Sequence, residues 1–349
     1  MTKLLSILRT WKLPVAMIIG VLLYFLFDAI IPADGISALY HGISHYLQPT
    51  LIFTMLFLSF LKVDPRDLKP HRWHGILLLV QGSLFVACSL AAWACDSVGD
   101  DSQTAKLLCE GAMLCFICPT ATASAVIVQK LGGSLSGDVT YIVLCNLMVS
   151  LLAPGFLTLV EPHTGMGFTT EFFMIMGKVF PLLLCPLFVA LIVRHYLPKM
   201  QERLLSVPDL AFYLWLVALA LAITVTVRAI IESNIAMGIL LGFAIISAIS
   251  CVMQFWLGRR IGKRWMQPTK NPSQWKSKTY VPEEYIDPVE RSAITAGQAF
   301  GQKNTVFIIW MGLVFLNPVT SVVGGCYSIW HNVINSWQLY QKQKRDAQK

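Results

Sequence analysis

Apolar stretches of helical length recur along the whole chain and are separated by short polar segments. Ten of them can be delimited, near 13–31, 48–61, 74–95, 108–130, 139–160, 172–193, 209–227, 236–258, 292–314 and 319–340. A helix needs roughly 20 apolar residues to cross the ~30 Å hydrocarbon core of a bilayer. The pattern therefore predicts an all-α polytopic membrane protein with ten transmembrane helices.

The composition supports this prediction. Of the 349 residues, 56% are hydrophobic and only 13% are charged, about half of the roughly 25% charged residues of a soluble domain. The basic N-terminal segment 1–12 precedes an apolar run that is longer than the ~7–15 residues of a signal peptide and lacks its cleavage site. We therefore interpret this run as a first span that is retained.

The positive charge is distributed between the apolar stretches. Although the net charge is +8, the basic residues do not share one domain or face, so we expect no nucleic-acid partner. Most of the 27 Lys and Arg residues lie in 1–12, 62–72, 194–203, 259–291 and 342–349. The positive-inside rule places these segments and both termini in the cytoplasm. We expect an integral protein of the bacterial inner (plasma) membrane, with loops 32–47 and 161–171 outside.

Two of the stretches contain polar interruptions. In the fourth, Pro119 is followed by the small, hydroxyl-rich run 120–124; in the ninth, Gly297 and Gly301 precede 302–304, which is Gln-Lys-Asn. Irregular backbone at this depth is tolerated only where protein or a water-lined cavity satisfies its polar groups. A purely structural alternative is that the glycines allow close packing of helices.

The interruptions occupy equivalent positions. Ten spans divide into five and five, and the interrupted helix is the fourth of each half. Such pairs of broken spans are typical of inverted-repeat transporters with a midplane site. This predicts one five-helix repeat at 1–165, a second at 166–341 that includes the cytoplasmic loop 259–291, and a cytoplasmic tail at 342–349.

Lys303 is the most unusual residue in these stretches. It lies about eleven residues into the ninth span, and ionisable groups at such depth usually mark functional sites. The alternative is that its long side chain snorkels to an interface.

Several segments resemble the bile acid:sodium symporter superfamily. They are CPTATASAV (118–126), GDVTYIVLCNLMVSLLAP (137–154), GQKNT (301–305) and YSIWHN (327–332), and Gln81 is similar to a glutamine of that family's third span. The resemblance implies a core domain of spans three to five and eight to ten, with crossing discontinuous helices 4 and 9. Spans one, two, six and seven would form a panel domain. It also implies secondary active transport of organic anions, sterol- or carboxylate-like, by symport with sodium.

The residues that the resemblance assigns to sodium binding are altered. The family's Ser-Asn pair becomes Ser124 and Ala125, and its fifth-span serine and threonine become Ile142 and Asn146. The ninth-span carboxylate becomes Ala299, and a lysine, Lys303, replaces the family's glutamine.

From this comparison we derive a hypothesis for the site. Lys303 would replace the metal ion, and its ammonium would donate to groups at the crossing. The ion-site equivalents are Lys303, Gln302, Gln81, Ser124 and Asn146, and the substrate-binding candidates are Asn304, Thr122 and Ser124. No metal ligand set and no cofactor are expected.

The function expected is alternating-access transport of a small organic anion without sodium coupling. Proton coupling is a further option, because a buried lysine can lose its proton. A sodium-coupled symporter of the bile acid type and an exporter of arsenite or another anion, suggested by Cys118, are the alternatives. Catalytic motifs such as H-E-x-x-H and G-x-S-x-G are absent from the sequence, so we expect no enzyme.

Three remaining details are left as expectations. Asp138 is interpreted as a helix-start residue, and His331 as a structural hydrogen-bonding residue on the last helix. A disulfide between Cys95 and Cys109 stays open.

Overall fold

The computed structural model describes residues 12–98, 103–162, 166–207, 210–232, 236–265 and 287–346. The first half contains α1 (Lys12–Ile30), α2 (Ala33–Gly42), α3 (Gln48–Leu61), α4 (Arg72–Val98), α5 (Gln103–Ile117), α6 (Ser124–Leu131) and α7 (Leu135–Val160). The second half contains α8 (Phe168–Tyr196), α9 (Pro198–Ser206), α10 (Leu210–Glu232), α11 (Met237–Trp265), α12 (Pro288–Gly301), α13 (Thr305–Phe315) and α14 (Val322–Asp346). Much of the predicted loop 259–291, namely 266–286, lies outside the described residues, as do 1–11 and 347–349.

Six helical segments in the described ranges are long and apolar enough to cross a membrane. They are Gly35–Leu61, Arg72–Asp96, Leu135–Val160, Phe168–Tyr196, Leu210–Glu232 and Met237–Trp265. Val15–Ile30 and Thr305–Phe315 are shorter apolar helices. The prediction of an all-helical polytopic membrane protein is confirmed.

The predicted external loop 32–47 is wrong in its conformation. Residues from Ala33 to Gly42 form α2, and a π-helical turn at Ile43–Leu47 joins α2 to α3 without a break. Part of the segment is apolar and packs inside, since Tyr40 and Ile43 are buried together with Tyr24 of α1. Burial of this apolar face favours the helix over a loop.

Small residues allow α11 and α12 to approach each other closely. A Cβ atom at Gly258 would lie 2.5 Å from the carbonyl oxygen of Ala296, and one at Gly262 would lie 2.7 Å from that of Ser292. From the side of α12, a Cβ atom at Gly297 would lie 2.6 Å from Cγ of Arg259 on α11. Gly297 therefore allows close helix packing, in agreement with the structural alternative given above.

The turn between α6 and α7 is defined by two residues. Gly132 ends α6 with a φ of 85°, a left-handed conformation that glycine adopts without steric cost. Ser134 then begins α7, because its hydroxyl accepts a hydrogen bond from the Gly137 N–H at 3.2 Å. This turn brings the start of α7 back against the start of α6.

Candidate functional site

The two interrupted helices meet through their non-helical segments. The chain is non-helical between α5 and α6 and again between α12 and α13. The segments pair as a short antiparallel bridge at Thr120 and Lys303. Ala121 N–H donates to the Gln302 carbonyl at 2.9 Å, and Asn304 N–H donates to the Pro119 carbonyl at 2.9 Å. The backbone groups freed by unwinding therefore satisfy each other in the apolar interior.

Side chains satisfy further carbonyl groups at the end of α12 and at the crossing. The Thr120 hydroxyl donates to the Ala299 carbonyl at 2.5 Å, and the Tyr327 hydroxyl donates to the Gly301 carbonyl at 2.8 Å. The Cys118 thiol donates to the Asn304 carbonyl at 3.1 Å. These bonds connect α12 to the other interruption and to α14.

Lys303 lies at the centre of this crossing. It is 0% exposed, and its Nζ donates to Oε1 of Gln81 at 3.1 Å. Nζ also lies 5.0 Å from the centre of the Phe300 ring, within the range of a cation–π contact. Among the described residues no carboxylate forms an ion pair with it. The snorkelling alternative is therefore excluded.

Gln81 connects Lys303 to two other elements. Its Nε2 donates to the Cys118 carbonyl at 3.2 Å, and its Oε1 also accepts from the Tyr141 hydroxyl at 2.9 Å. Nε2 lies 3.3 Å from the Cys145 thiol of α7. One amide thus joins α4, α7 and both interruptions.

Asp138 forms a second polar contact near the first interruption. Its Oδ2 accepts from the Ser124 hydroxyl at 2.6 Å, and the residue is 0% exposed. The helix-start interpretation of Asp138 is incomplete: it lies in the first turn of α7, but Ser134 is the capping residue. Ser124 consequently contacts Asp138 and is not a partner of Lys303.

Two other predicted ion-site residues also point elsewhere. Asn146 Nδ2 donates to the Leu183 carbonyl of α8 at 3.2 Å. Both amide atoms of Gln302 are buried without a hydrogen-bond partner in the described ranges. Neighbouring side chains of an extended segment point to opposite sides, so Gln302 cannot share the direction of Lys303. Of the five predicted residues, the structure joins only Lys303 and Gln81.

The substrate-binding candidates are also separated. Asn304 Oδ1 accepts from the Phe307 N–H at 3.2 Å and caps α13. Thr122 lines a small crevice between α3, α6 and α10. Ser59, Lys62, Gln129, Leu135 and Phe212 are other lining residues.

Sequence reasoning missed Tyr141 and Cys145, and it misassigned Asp138. These three residues are spaced i, i+3 and i+7 along α7, which places them on one helix face. That spacing was available in the sequence. What it could not reveal is that this face contacts Gln81 and Ser124.

The remaining expectations concern cysteines and one histidine. Cys95 and Cys109 do not form a disulfide in this structure. The expectation of no metal site assumed that the sequence has no C-x-x-C pair, which is wrong because Cys115 and Cys118 have this spacing. The described residues nevertheless contain no cluster of three His, Cys, Asp or Glu residues able to hold a metal. The hydrogen bond predicted for His331 is wrong, because both of its buried ring nitrogens lack partners in the described part of the chain.

Apolar helices long enough to cross a bilayer, with two broken helices that meet in the interior beside a crevice, form the architecture of a membrane transporter. The chain belongs to the SBF-like CPA transporter family (DUF4137), whose profile matches residues 15–313. This match confirms the resemblance to the bile acid:sodium symporter superfamily. It also confirms that the protein is a transporter and not an enzyme. No curated protein matches the chain.

Proposed function

We propose that the protein carries a small organic anion across the membrane by alternating access, independently of sodium, with Lys303 in place of the metal ion. The observation that carries this proposal is the complete burial of Lys303 at the crossing, with Nζ hydrogen-bonded to Gln81. The ammonium holds the two broken helices and α4 together, as a bound cation would.

Electrostatics argue against a sodium ion at this position. The residue at the position of the family's carboxylate is Ala299, which is buried and apolar. A sodium ion about 4 Å from Nζ would be repelled by about 4 kcal/mol at an effective dielectric constant of about 20. Sodium coupling of the bile acid type is therefore disfavoured.

We propose that the fold consists of two inverted five-helix repeats. The first repeat comprises α1 to α7 and the second α8 to α14, and in each the fourth span is broken, as α5/α6 and as α12/α13. The core domain would contain α4 to α7 and α11 to α14, and the panel domain α1 to α3, α8 and α10. The extensive packing of α11 on α12 and of α1 on α10 supports this division.

The crevice between the proposed domains supports an anionic substrate. Lys62 provides a positive charge, Thr122 and Gln129 provide hydrogen-bonding groups, and Leu135 and Phe212 provide apolar surface. An amphipathic carboxylate or sterol-like anion matches such a lining.

An arsenite exporter is not favoured by the position of Cys118. Its thiol is 0% exposed and donates to the Asn304 carbonyl at the crossing. The thiol therefore stabilises the two segments and does not face the crevice.

We also propose that the protein resides in the bacterial inner membrane with both termini in the cytoplasm. The support is the positive-inside distribution of Lys and Arg. In that orientation Lys62 and the crevice face the cytoplasm.

Counterflow of radiolabelled organic anions into proteoliposomes tests the proposal. A set of bile acids and small carboxylates is assayed with and without a sodium gradient and with and without a pH gradient. We expect uptake that is unchanged when sodium is replaced by choline. A strict sodium requirement would contradict the proposal.

The matched variants are Lys303→Gln, which restores the family's residue, and Lys130→Gln, which removes an exposed positive charge. Lys303→Gln is expected to abolish uptake or make it cation-dependent, and Lys130→Gln is expected to behave like the wild type. Equal activity of both variants would show that Lys303 has no role in transport.

A further inference from the structure

A second ionisable residue is buried in the proposed core domain without a compensating charge. Asp138 is 0% exposed, and Ser124 is the only hydrogen-bond donor to its carboxyl group among the described residues. Its other oxygen, Oδ1, has no partner in that part of the chain. Neither the site at Lys303 nor the cap of α7 uses this carboxyl group.

The helices packed against α7 are α4, α6, α8 and α12, and none of them neutralises Asp138. The ionisable groups at the matching ends of these helices are Arg72, His74, Lys130, Arg194, His195, Glu290 and Arg291. His74 contacts the residue before Asp138, since its Nε2 lies 3.0 Å from the Gly137 carbonyl oxygen. Across the described ranges, no basic group forms an ion pair or hydrogen bond with the Asp138 carboxyl.

An ionised carboxylate with one hydrogen bond is costly in such an interior. Buried charges are ordinarily paired or fully hydrogen-bonded, and otherwise the group becomes neutral. The neutral form of Asp138 is the carboxylic acid, which needs a bound proton and no counter-ion. The state captured by this structure therefore favours the protonated acid.

The surroundings of Asp138 suit a bound proton better than a bound metal cation. Hard cations are bound by several oxygen ligands at once, whereas the Ser124 hydroxyl is the one oxygen hydrogen-bonded to the Asp138 carboxyl. Asp138 also belongs to no metal-capable cluster among the described residues.

The crevice provides a route to water. Ser124 is the first residue of α6, and its neighbours Ala123 and Ala125 both line the crevice that Lys62 also lines. Ala125, Val126 and Gln129 lie on the crevice face of α6, so with 3.6 residues per turn the Ser124 side chain lies on the other face, where it contacts Asp138. A shift of the start of α6 would connect the carboxyl of Asp138 with crevice water.

We propose that Asp138 is a proton-binding site of this transporter, reached from the crevice when the start of α6 shifts. The acid releases its proton to crevice water in the shifted state and takes one up before α6 returns. The step transfers one proton and no electrons. The inference goes beyond the proposed function, and it holds whether or not transport of the anion requires sodium.

Infrared difference spectroscopy tests the site without requiring a substrate. Full-length protein in lipid is titrated with acid and base, and the carbonyl stretch of protonated carboxylic acids is recorded. Subtraction of the Asp138→Asn spectrum isolates this group from other buried acids such as Glu110. Asp67→Asn, which changes an exposed carboxyl, is the control.

We expect a protonated-acid band at neutral pH in the wild type and in Asp67→Asn, and its loss in Asp138→Asn. Identical wild-type and Asp138→Asn spectra at neutral pH would overturn the proposal. A band that disappears at constant pH as sodium chloride replaces choline chloride would also overturn it, because it would identify a metal site.

Ser124→Ala provides a second variant that retains the carboxyl. Removal of the hydroxyl donor should shift the same band to higher frequency, because the carbonyl loses a hydrogen bond. An unshifted band would show that the proton is not bound where this structure places Asp138 and Ser124. None of these outcomes depends on transport, so failure here is distinguishable from failure of the proposed function.

Discussion

Nζ of Lys303 lies 3.1 Å from Oε1 of Gln81, across 222 residues of chain. This contact connects the second broken helix to α4 and, through the amide nitrogen of Gln81, to the Cys118 carbonyl of the first broken helix. Since it is the only hydrogen bond found for the ammonium among the described residues, the stability of the crossing and the charge of Lys303 are linked.

The coupling between Lys303 and Gln81 can be measured by a double-mutant cycle. Gln81→Ala leaves the buried ammonium without an acceptor, and we expect it to lower the free energy of unfolding by about 1–3 kcal/mol. In a Lys303→Met background, which has no charge to satisfy, the same change should cost less. Reversible denaturant unfolding in detergent provides the measurement.

Gln81 also forms hydrogen bonds with the Cys118 carbonyl and Tyr141. Part of the loss of unfolding free energy caused by Gln81→Ala is therefore expected to persist in the Lys303→Met background. The difference between the two backgrounds isolates the ammonium contact. Equal costs in both backgrounds would mean that Lys303 and Gln81 do not interact energetically.

Close packing of α11 against α12 predicts a strong effect of Gly258→Ala. The added Cβ atom would lie 2.5 Å from the Ala296 carbonyl oxygen, and relief of such overlap costs about 1–3 kcal/mol. We expect a lower thermal unfolding temperature in detergent.

Gly238→Ala is the matched control for this change. It lies on the same helix and has open space within 4 Å of the new Cβ. Gly238 is the second residue of α11, where the preference for alanine is weaker than the roughly 0.5–1 kcal/mol of a helix interior, so this variant should keep about the wild-type stability. Equal destabilisation of the two variants would contradict the packing described here.

Lys62 is predicted to attract the substrate without taking part in the crossing. It lines the crevice and is exposed, so Lys62→Gln should raise the KM for an organic anion several-fold and leave the maximal rate near the wild-type value. Initial uptake rates over a range of anion concentrations provide this measurement.

Lys69→Gln removes an exposed charge from the same connecting segment, outside the crevice lining. It should leave KM unchanged. If both variants raise KM equally, the effect is a general one of surface charge, and the crevice has no special role.

The sequence alone determined the class of the protein and the places where its helices break. Apolar runs of spanning length must become helices in a bilayer, because a lipid environment offers no partners for free backbone groups. Pro119 cannot donate a backbone hydrogen bond, and the run 302–304 is polar, so the two interruptions were predictable. The depth of Lys303 in the ninth span favoured a buried position over snorkelling, and the structure decided between the two.

Only the tertiary structure decided which polar groups meet. Ser124 pairs with Asp138, Asn146 with the Leu183 carbonyl, and Lys303 with Gln81. The direction of a side chain depends on the rotation of its helix or on the alternation of an extended segment, and both are fixed by packing against distant elements. The side chains of the adjacent residues Gln302 and Lys303 therefore point in opposite directions, which a pattern of residue types could not show.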